Sequence, residues 1–599
     1  MGQFFKQTFA SLIGSLAGLI LFFTLGISGL IFLLAWAASR DEGPTVEDKS
    51  VLVFDLSVQI SDTKSLPSLG EAFSGQDTKV FTLRQVLDSL EKAAKDERIV
   101  GILLDGRRAG SSSGYATLTE VRAALERCRA AGKKIIAYDV NWSEKEYYLG
   151  SVADTVVLNP IGAIEINGLS SQQLFLTGAL QKYGVGVQVI RVGNYKAAVE
   201  PFTRQDLSPE SRQQTEELLA DLWGNFSKAV GKSRKLTPQK LQAIADSKGI
   251  LLAKEARTSG LVDKVAYFDR VVAEFKELTG NSEEDRSFRQ IPLKTYVDVP
   301  LNNAQDRNSE NQIALVYAEG TIVDGKGTIE QIGGDRLAQE LRKLRQDEKV
   351  KAVVVRVNSP GGSATASDVI LREMQLTRQQ KPVIVSMGNF AASGGYWIAT
   401  GADRIFAQVN TITGSIGVFG LFPNIEEISN NNGITWDVVK TGRFADMGTI
   451  ARPKTEQELA IYQKYVNQIY EMFLDRVAES RKLPRDKVAE IAQGRVWSGE
   501  DAHKIGLIDQ IGGLEAAIEY AAEKAELGRD WEIEEYPKKR SFEAEILKRL
   551  LGAEAVQPSH SLDPLTAEFL KFKDDLTIFQ SLNDPRGIYA RLPFNLRIE

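Results

Sequence analysis

Apolar positions along the chain fall into three regimes. Residues 12–38 read LIGSLAGLILFFTLGISGLIFLLAWAA and carry no charged side chain. About 20 apolar residues suffice to cross a bilayer as a helix, so this stretch predicts one transmembrane anchor behind a short N-terminal tail, residues 1–11. Ala35-Trp36-Ala37 looks like a small-residue cleavage site, but a cleavable apolar region runs only about 7–15 residues. An uncleaved anchor is the better reading. Lys6 precedes the span, while Arg40 and Lys49 follow it among Asp41, Glu42, Glu47 and Asp48, so flanking charge does not set its orientation.

From residue 50 the pattern changes. Short β-branched runs (VLVFDL, IVGILLD, KKIIAYD, DTVVLN, VQVIRV) alternate with helix-periodic stretches. Bounded apolar runs of this kind predict buried parallel strands joined by crossover helices, an α/β fold. Residues 207–245 and 453–492 are long, charged and helix-periodic, and Ser208-Pro209-Glu210 opens the first of them. Beyond residue 540 the amphipathic pieces FEAEILKRLL and LTAEFLKFKDDL lead to the end, NDPRGIYARLPFNLRIE. Their apolar content predicts docking on the body rather than a disordered tail.

The α/β pattern occurs twice. Ser233-Arg234-Lys235-Leu236 recurs as Ser480-Arg481-Lys482-Leu483, and GLVD at 260–263 recurs as GLID at 506–509. Asp96-Glu97 before IVGILLDG returns as Asp347-Glu348 before VKAVVVRV, and KKII at 133–136 parallels KPVI at 381–384. An ordered series of matches with a slowly drifting offset predicts a tandem duplication, residues 50–300 and 310–535, with residues 540–599 as a C-terminal extension.

Composition narrows the chemistry. A formal net charge of −6 gives no basic surface for nucleic acid. The single cysteine, Cys128, excludes an internal disulfide and a cysteine-built metal cluster. Only two histidines occur. His503 aligns with Arg257 of the first copy, a position that suits long polar side chains, and His560 lies far from any motif. A Ser-His-Asp triad is therefore not expected.

The second copy holds two glycine-rich turns, each after a strand pattern and before a helix pattern. They are Asn358-Ser359-Pro360-Gly361-Gly362-Ser363 and Asn389-Phe390-Ala391-Ala392-Ser393-Gly394-Gly395-Tyr396. A serine at a strand-to-helix turn has nucleophile geometry, and glycine-loop N–H groups build oxyanion holes; tight packing is the plain alternative for such glycines. Aligning Asn141 with Asn389 places Lys145 opposite Ser393, and Gly110-Ser111 stands where Gly361-Gly362 stands. The reverse holds elsewhere, because Lys196 in VGNYK aligns with Ala445 in TGRFA. Complementary loss in paired copies is expected when one site spans both.

The motifs VGNYKAAVEPF (192–202), NSPGG (358–362), AASGGYW (391–397) and TGSIGV (413–418) resemble, in order and spacing, those of the signal peptide peptidase A (protease IV) family in its long form. The resemblance covers nearly the whole chain. It implies a ClpP/crotonase-like unit in each copy and a serine endopeptidase that degrades cleaved signal peptides and other small hydrophobic or membrane-derived peptides. Carried over, Ser393 is the nucleophile, Lys196 the general base and Ser415 the residue that orients the lysine. Gly361, Gly362 and Gly394 line the oxyanion hole. The resemblance further implies a homo-oligomer (a tetramer) and a body on the periplasmic or equivalent non-cytoplasmic side of the membrane. No metal or cofactor is called for. A lysine must be neutral to accept the serine proton, which burial between the copies favours. Two rivals remain at this level. A crotonase-type acyl-CoA enzyme accounts for the glycine loops but not the Ser/Lys asymmetry, and a non-catalytic membrane scaffold accounts only for the anchor.

Overall fold

The computed structural model describes residues 44–63, 80–108, 113–300, 309–328, 330–538 and 588–592. The anchor at 12–38, the 1–11 tail, Gly110, Ser111, His560 and most of 540–599 lie outside them. Among the described residues no helix is long and apolar enough to cross a membrane.

Each copy builds its own sheet. In the first the order is Gln290–Pro292, Ser50–Asp55, Ile99–Asp105, Lys134–Trp142 and Thr155–Ile166, all parallel neighbours. In the second, Glu532–Tyr536, Gln312–Glu319, Val350–Ser359 and Val383–Ala392 repeat that order in parallel. In both, a strand from the end of the copy returns to lie beside its first strand. The crossover helices bury one face against these sheets; Leu83–Lys95, for example, is opened by a reciprocal Thr82–Gln85 capping box and buries Leu83, Val86, Leu87 and Leu90.

The duplication also extends to side-chain hydrogen bonds. Asp154 accepts from Ile135 N at 2.9 Å as Asp403 does from Val383 N at 2.9 Å. Tyr147 donates to the Leu261 carbonyl, and Tyr396 to that of Leu507. Arg234 pairs with Asp263, and Arg481 with Asp509. The recurring SRKL tetrapeptide is a helix terminus: Lys235 and Lys482 sit at φ 56° and 54° as left-handed caps. Those caps split each predicted long helical stretch into two helices, Pro209–Arg234 with Pro238–Ser247, and Glu456–Arg481 with Arg485–Ile491.

One alignment requires correction. Val156 and Ile405 occupy equivalent places, each donating its N–H to the aspartate that follows the GLV or GLI motif, and Tyr147 matches Tyr396. Both pairs are 249 positions apart, whereas Ile135 and Val383 are 248 apart. Each central strand has an irregular register after its fifth or sixth residue, and the second copy takes up one extra residue there. Glu144, not Lys145, therefore stands where Ser393 stands. Matching asparagines alone missed the bulge.

A third sheet joins the copies, in the order Gln331–Gly333, Thr321–Val323, Gly361–Ser363, Ile588–Arg591, Val418–Asn424, Gly186–Val192. Its last pairing sets second-copy Val418–Asn424 antiparallel to first-copy Gly186–Val192. Nearby, fully buried Arg356 of the second copy bonds Asp62 and Glu120 of the first, each at 2.8 Å, and also Ser386 Oγ at 2.8 Å. Removing one partner of a buried ion pair leaves charge without compensation. Arg356→Met is therefore expected to destabilise the body by about 3–5 kcal/mol, read as a lower urea midpoint. An unchanged midpoint would show that the three groups do not hold the copies together.

Candidate active site

Ser393 ends the strand Val383–Ala392 and precedes the helix Gly394–Ala399. Its N–H donates to the Gly414 carbonyl at 2.8 Å, and its own carbonyl accepts from Trp397 N at 2.7 Å. Between these two ties the residue is held at φ 54°, ψ −115°. A non-glycine residue rarely adopts such angles, and structures retain them where they aim a functional side chain.

That side chain meets Lys196. Lys196 Nζ lies 2.8 Å from Ser393 Oγ, 2.9 Å from Ser415 Oγ and 3.0 Å from the Ser415 carbonyl. The lysine follows the strand Gly186–Val192, and its backbone is fixed by the second copy, since Tyr195 N donates to Gln493 O at 2.9 Å. Gln214, on the helix Pro209–Arg234, grips the Tyr195 carbonyl at 3.1 Å and accepts from Val496 N at 3.2 Å. The stem threads between two glycines of the second copy. A methyl group on Gly494 would come within 2.6 Å of Lys196 Cβ, and one on Gly417 within 3.2 Å of Cδ.

Lys196 and Ser393 are both fully buried, and among the described residues no carboxylate lies within ion-pair distance of Lys196. Burial alone holds its pKa well below the ordinary 10.5. The contacts fit a neutral amine, which has two N–H groups and one lone pair. The carbonyl and hydroxyl of Ser415 can take the two donated bonds, leaving the lone pair for the Ser393 hydroxyl. Ser415 Oγ in turn lies 3.3 Å from the Gly494 carbonyl.

Gly361, at φ +96°, approaches Gly394 so closely that a methyl group on it would lie 2.7 Å from Gly394 N. Its own N–H is engaged by Ser359 Oγ at 3.1 Å. A methyl on Gly394 would lie 3.2 Å from Gly362 N. The three glycines expected at the oxyanion hole are thus brought together next to Ser393. His503 is exposed on the helix Gly499–Lys504. Sequence reading did not single out Gln214, Gly417 or Gly494; residues that grip a backbone or leave room for a stem carry no motif of their own.

The model of peptidase family S49 matches residues 127–282 and 375–528, one segment in each copy. The chain belongs to this family. The model of the Clp protease family matches residues 305–411, and the fold is a tandem pair of ClpP-like units. The chain is 32% identical to Protease 4 of Haemophilus influenzae, over 94% of each chain. It is 35% identical to Protease 4 of Salmonella typhi over 90% of each, and 34% identical to the chloroplastic serine protease SPPA of Arabidopsis thaliana over 80% of this chain and 70% of that one. As an S49 peptidase of the signal peptide peptidase A type, the protein is a serine-type peptide hydrolase. The acyl-CoA and scaffold readings fall away.

An uncompensated buried amine costs stability. The folded state leaves Lys196 deprotonated at pH values where the unfolded chain binds a proton, from the lowered folded-state pKa up to 10.5. Across that window stability rises with pH, because the unfolded state holds more protons. Lys196→Met should remove this rise and increase the thermal midpoint at neutral pH. A lower midpoint at neutral pH, with the pH slope unchanged, would mean that the lysine is not neutral in the folded protein.

Proposed function

We propose that the protein is a membrane-anchored endopeptidase in which Ser393 is the nucleophile and Lys196 the general base, degrading cleaved signal peptides and other small hydrophobic peptides. The observation that carries this reading is the 2.8 Å approach of Lys196 Nζ to Ser393 Oγ across the two copies. Neutral Lys196 takes the proton as Ser393 Oγ attacks the substrate carbonyl carbon, and the N–H groups of Gly362 and Gly394 stabilise the oxyanion. The lysine then protonates the leaving amine, and a water activated by the same amine hydrolyses the acyl ester. Ser415 orients the lysine, and Gly361 serves for close approach, since its N–H is already taken. The scheme calls for no metal or cofactor.

A preference for apolar peptides is supported by the walls beside the lysine, where Ala198, Val199 and Phe202 pack with Phe419 and Leu421. The anchor at 12–38 would hold the body at the bilayer where such peptides arise, on the non-cytoplasmic side; a mature N-terminus near residue 38 would refute it. The third sheet supports a homo-oligomer. By the 249-residue repeat, the pairing of Gly186–Val192 with Val418–Asn424 has a counterpart pairing residues 435–441 with residues 169–175. Among the described residues neither segment has a strand partner, and Trp436, Val438 and Val439 are exposed, Val439 at 97%. A second copy can satisfy both by head-to-tail strand addition, and repetition of that contact builds a homo-oligomer.

Ser393→Ala should lower peptide turnover more than about 10³-fold and abolish labelling by a fluorophosphonate. Lys196→Arg should be as inactive as Lys196→Ala, because a guanidinium stays protonated; an active arginine variant would remove the lysine from the mechanism. In wild type, kcat/KM should rise with pH through the lowered Lys196 pKa. Val438→Pro, which removes a ladder donor, should reduce the mass by light scattering in detergent to that of one chain. An unchanged mass would place the interface elsewhere.

A further inference from the structure

The lysine stands at the apex of a tight turn. Lys196 has φ −77° and ψ 75°, and Ala197 N donates to the Tyr195 carbonyl across it at 2.9 Å, the geometry of an inverse γ-turn. A side chain on so short a turn is aimed only as well as the two flanking peptide groups are held. Gln214 donates to the Tyr195 carbonyl at 3.1 Å. Arg191 Nη1 reaches the Lys196 carbonyl in a long contact of 3.5 Å. Gln214 lies on the helix Pro209–Arg234 and Arg191 on the strand Gly186–Val192.

One residue meets both elements. Glu200, four places past the lysine, is 1% exposed. Its Oε1 accepts from Ser208 Oγ at 2.5 Å and lies 3.7 Å from Arg191 Nη1, while Oε2 accepts from Ser208 N at 3.1 Å. Ser208 is the N-cap of the helix that carries Gln214, and its Oγ accepts from Ser211 N at 3.1 Å.

The second copy shows how such a helix is capped without a lysine to hold. Its counterpart, Glu456–Arg481, has the same 26 residues and leads into the same SRKL terminus, so Ser208, Ser211 and Gln214 align with Thr455, Glu458 and Ile461. There Glu458 N donates to Thr455 Oγ1 at 3.3 Å and Thr455 N donates back to Glu458 at 2.8 Å, a closed capping box. The first copy keeps both bonds but takes the carboxylate from the lysine's loop instead of from the helix. A cap alone does not need that detour, which buries a charge far from its own helix. What the detour adds is a fixed distance between helix and lysine. The copy that lacks the lysine lacks this tie, and it has Ile461 where the first has Gln214.

We propose that Glu200 is a positioning residue for the base: by capping the helix Pro209–Arg234 from the lysine's own loop, it holds Gln214 and Arg191 on the peptide groups that flank Lys196 and keeps the amine sealed and aimed at Ser393. The inference rests on the Ser393/Lys196 reading above. Without the tie the helix and the turn part, water reaches the amine, and its pKa returns toward the ordinary 10.5.

The test separates capping from positioning. Glu200→Ala combined with Ser211→Glu rebuilds in the first copy the capping box of the second, so the helix keeps its cap while the tie to the lysine's loop is gone. The purified full-length protein in detergent is followed by its thermal midpoint and by kcat/KM for a fluorogenic peptide as a function of pH. The midpoint of the double variant should exceed that of Glu200→Ala. The rising limb of kcat/KM should nevertheless move to higher pH in both, with about tenfold lower kcat/KM below the limb for each unit moved. A double variant whose limb stays at the wild-type pH overturns the inference and reduces Glu200 to a helix cap. If circular dichroism shows the double variant unfolded, Glu200→Gln takes its place, since its amide sets a donor against either the Ser208 N–H or the Arg191 guanidinium; a displaced limb is again expected, and an unmoved one overturns the inference. Lys196→Ala, assayed alongside, keeps the two failures apart. If it is inactive and the limb is unmoved, the dyad stands and only Glu200 loses its role, whereas an active Lys196→Ala overturns the dyad and the inference together.

Discussion

An amine sealed from water without a counter-charge organises this molecule. Among the described residues, serine hydroxyls and a carbonyl surround the Lys196 nitrogen, so its surroundings favour the uncharged form. Water must be excluded from every side, and neither copy could do so alone. The first copy contributes the lysine and the helix Pro209–Arg234, whose Gln214 fixes the preceding carbonyl. The second contributes Ser415, Gly417 and Gly494, which close around the stem. The joining sheet and the buried Arg356 cluster therefore serve chemistry as well as cohesion, since any gap between the copies would hydrate the amine and restore its charge.

Much of this was legible in the sequence because the chain contains its own comparison. Paired copies turn a lone serine and a lone lysine into a pattern of complementary loss, and this singled out Ser393 and Lys196 without a histidine to guide the eye. The parallel α/β architecture followed from bounded β-branched runs, whereas the break of each long helical stretch at the repeated SRKL did not show in its helical periodicity. Less legible was whatever depends on the third dimension. A bulge in the central strand moved the counterpart of Ser393 from Lys145 to Glu144. The engagement of the Gly361 N–H by Ser359 is invisible in a glycine motif. The piece IYAR near the C-terminus reads as any short apolar stretch; its place between two strands arises from contacts hundreds of residues away.

The two copies also differ in how far they finish the same design. Where the second places Ser393, the first places Glu144, buried and accepting the Asn167 and Gly168 N–H groups at 2.7 and 2.8 Å. Burial raises its carboxyl to about 7. An acid bonded to backbone amides is a structural plug in the space that Ser393 occupies in its twin. The first copy thus fills with a buried acid the place that Ser393 takes in the second, and contributes Lys196 instead.

The division of reagents between copies has a consequence for how the protein is made. A ribosome releases the lysine-bearing copy first, and domains generally fold as they emerge. Until the chain has grown past Ser393, Lys196 lacks the hydroxyl that its amine meets in the folded protein. Even then Gly417 and Gly494, which flank the lysine stem, remain to be synthesised. The site therefore cannot form before residue 494 has been made, and a chain that stops earlier lacks part of it. Completion of the paired surfaces, rather than a separate inhibitory segment, thus decides when the site exists.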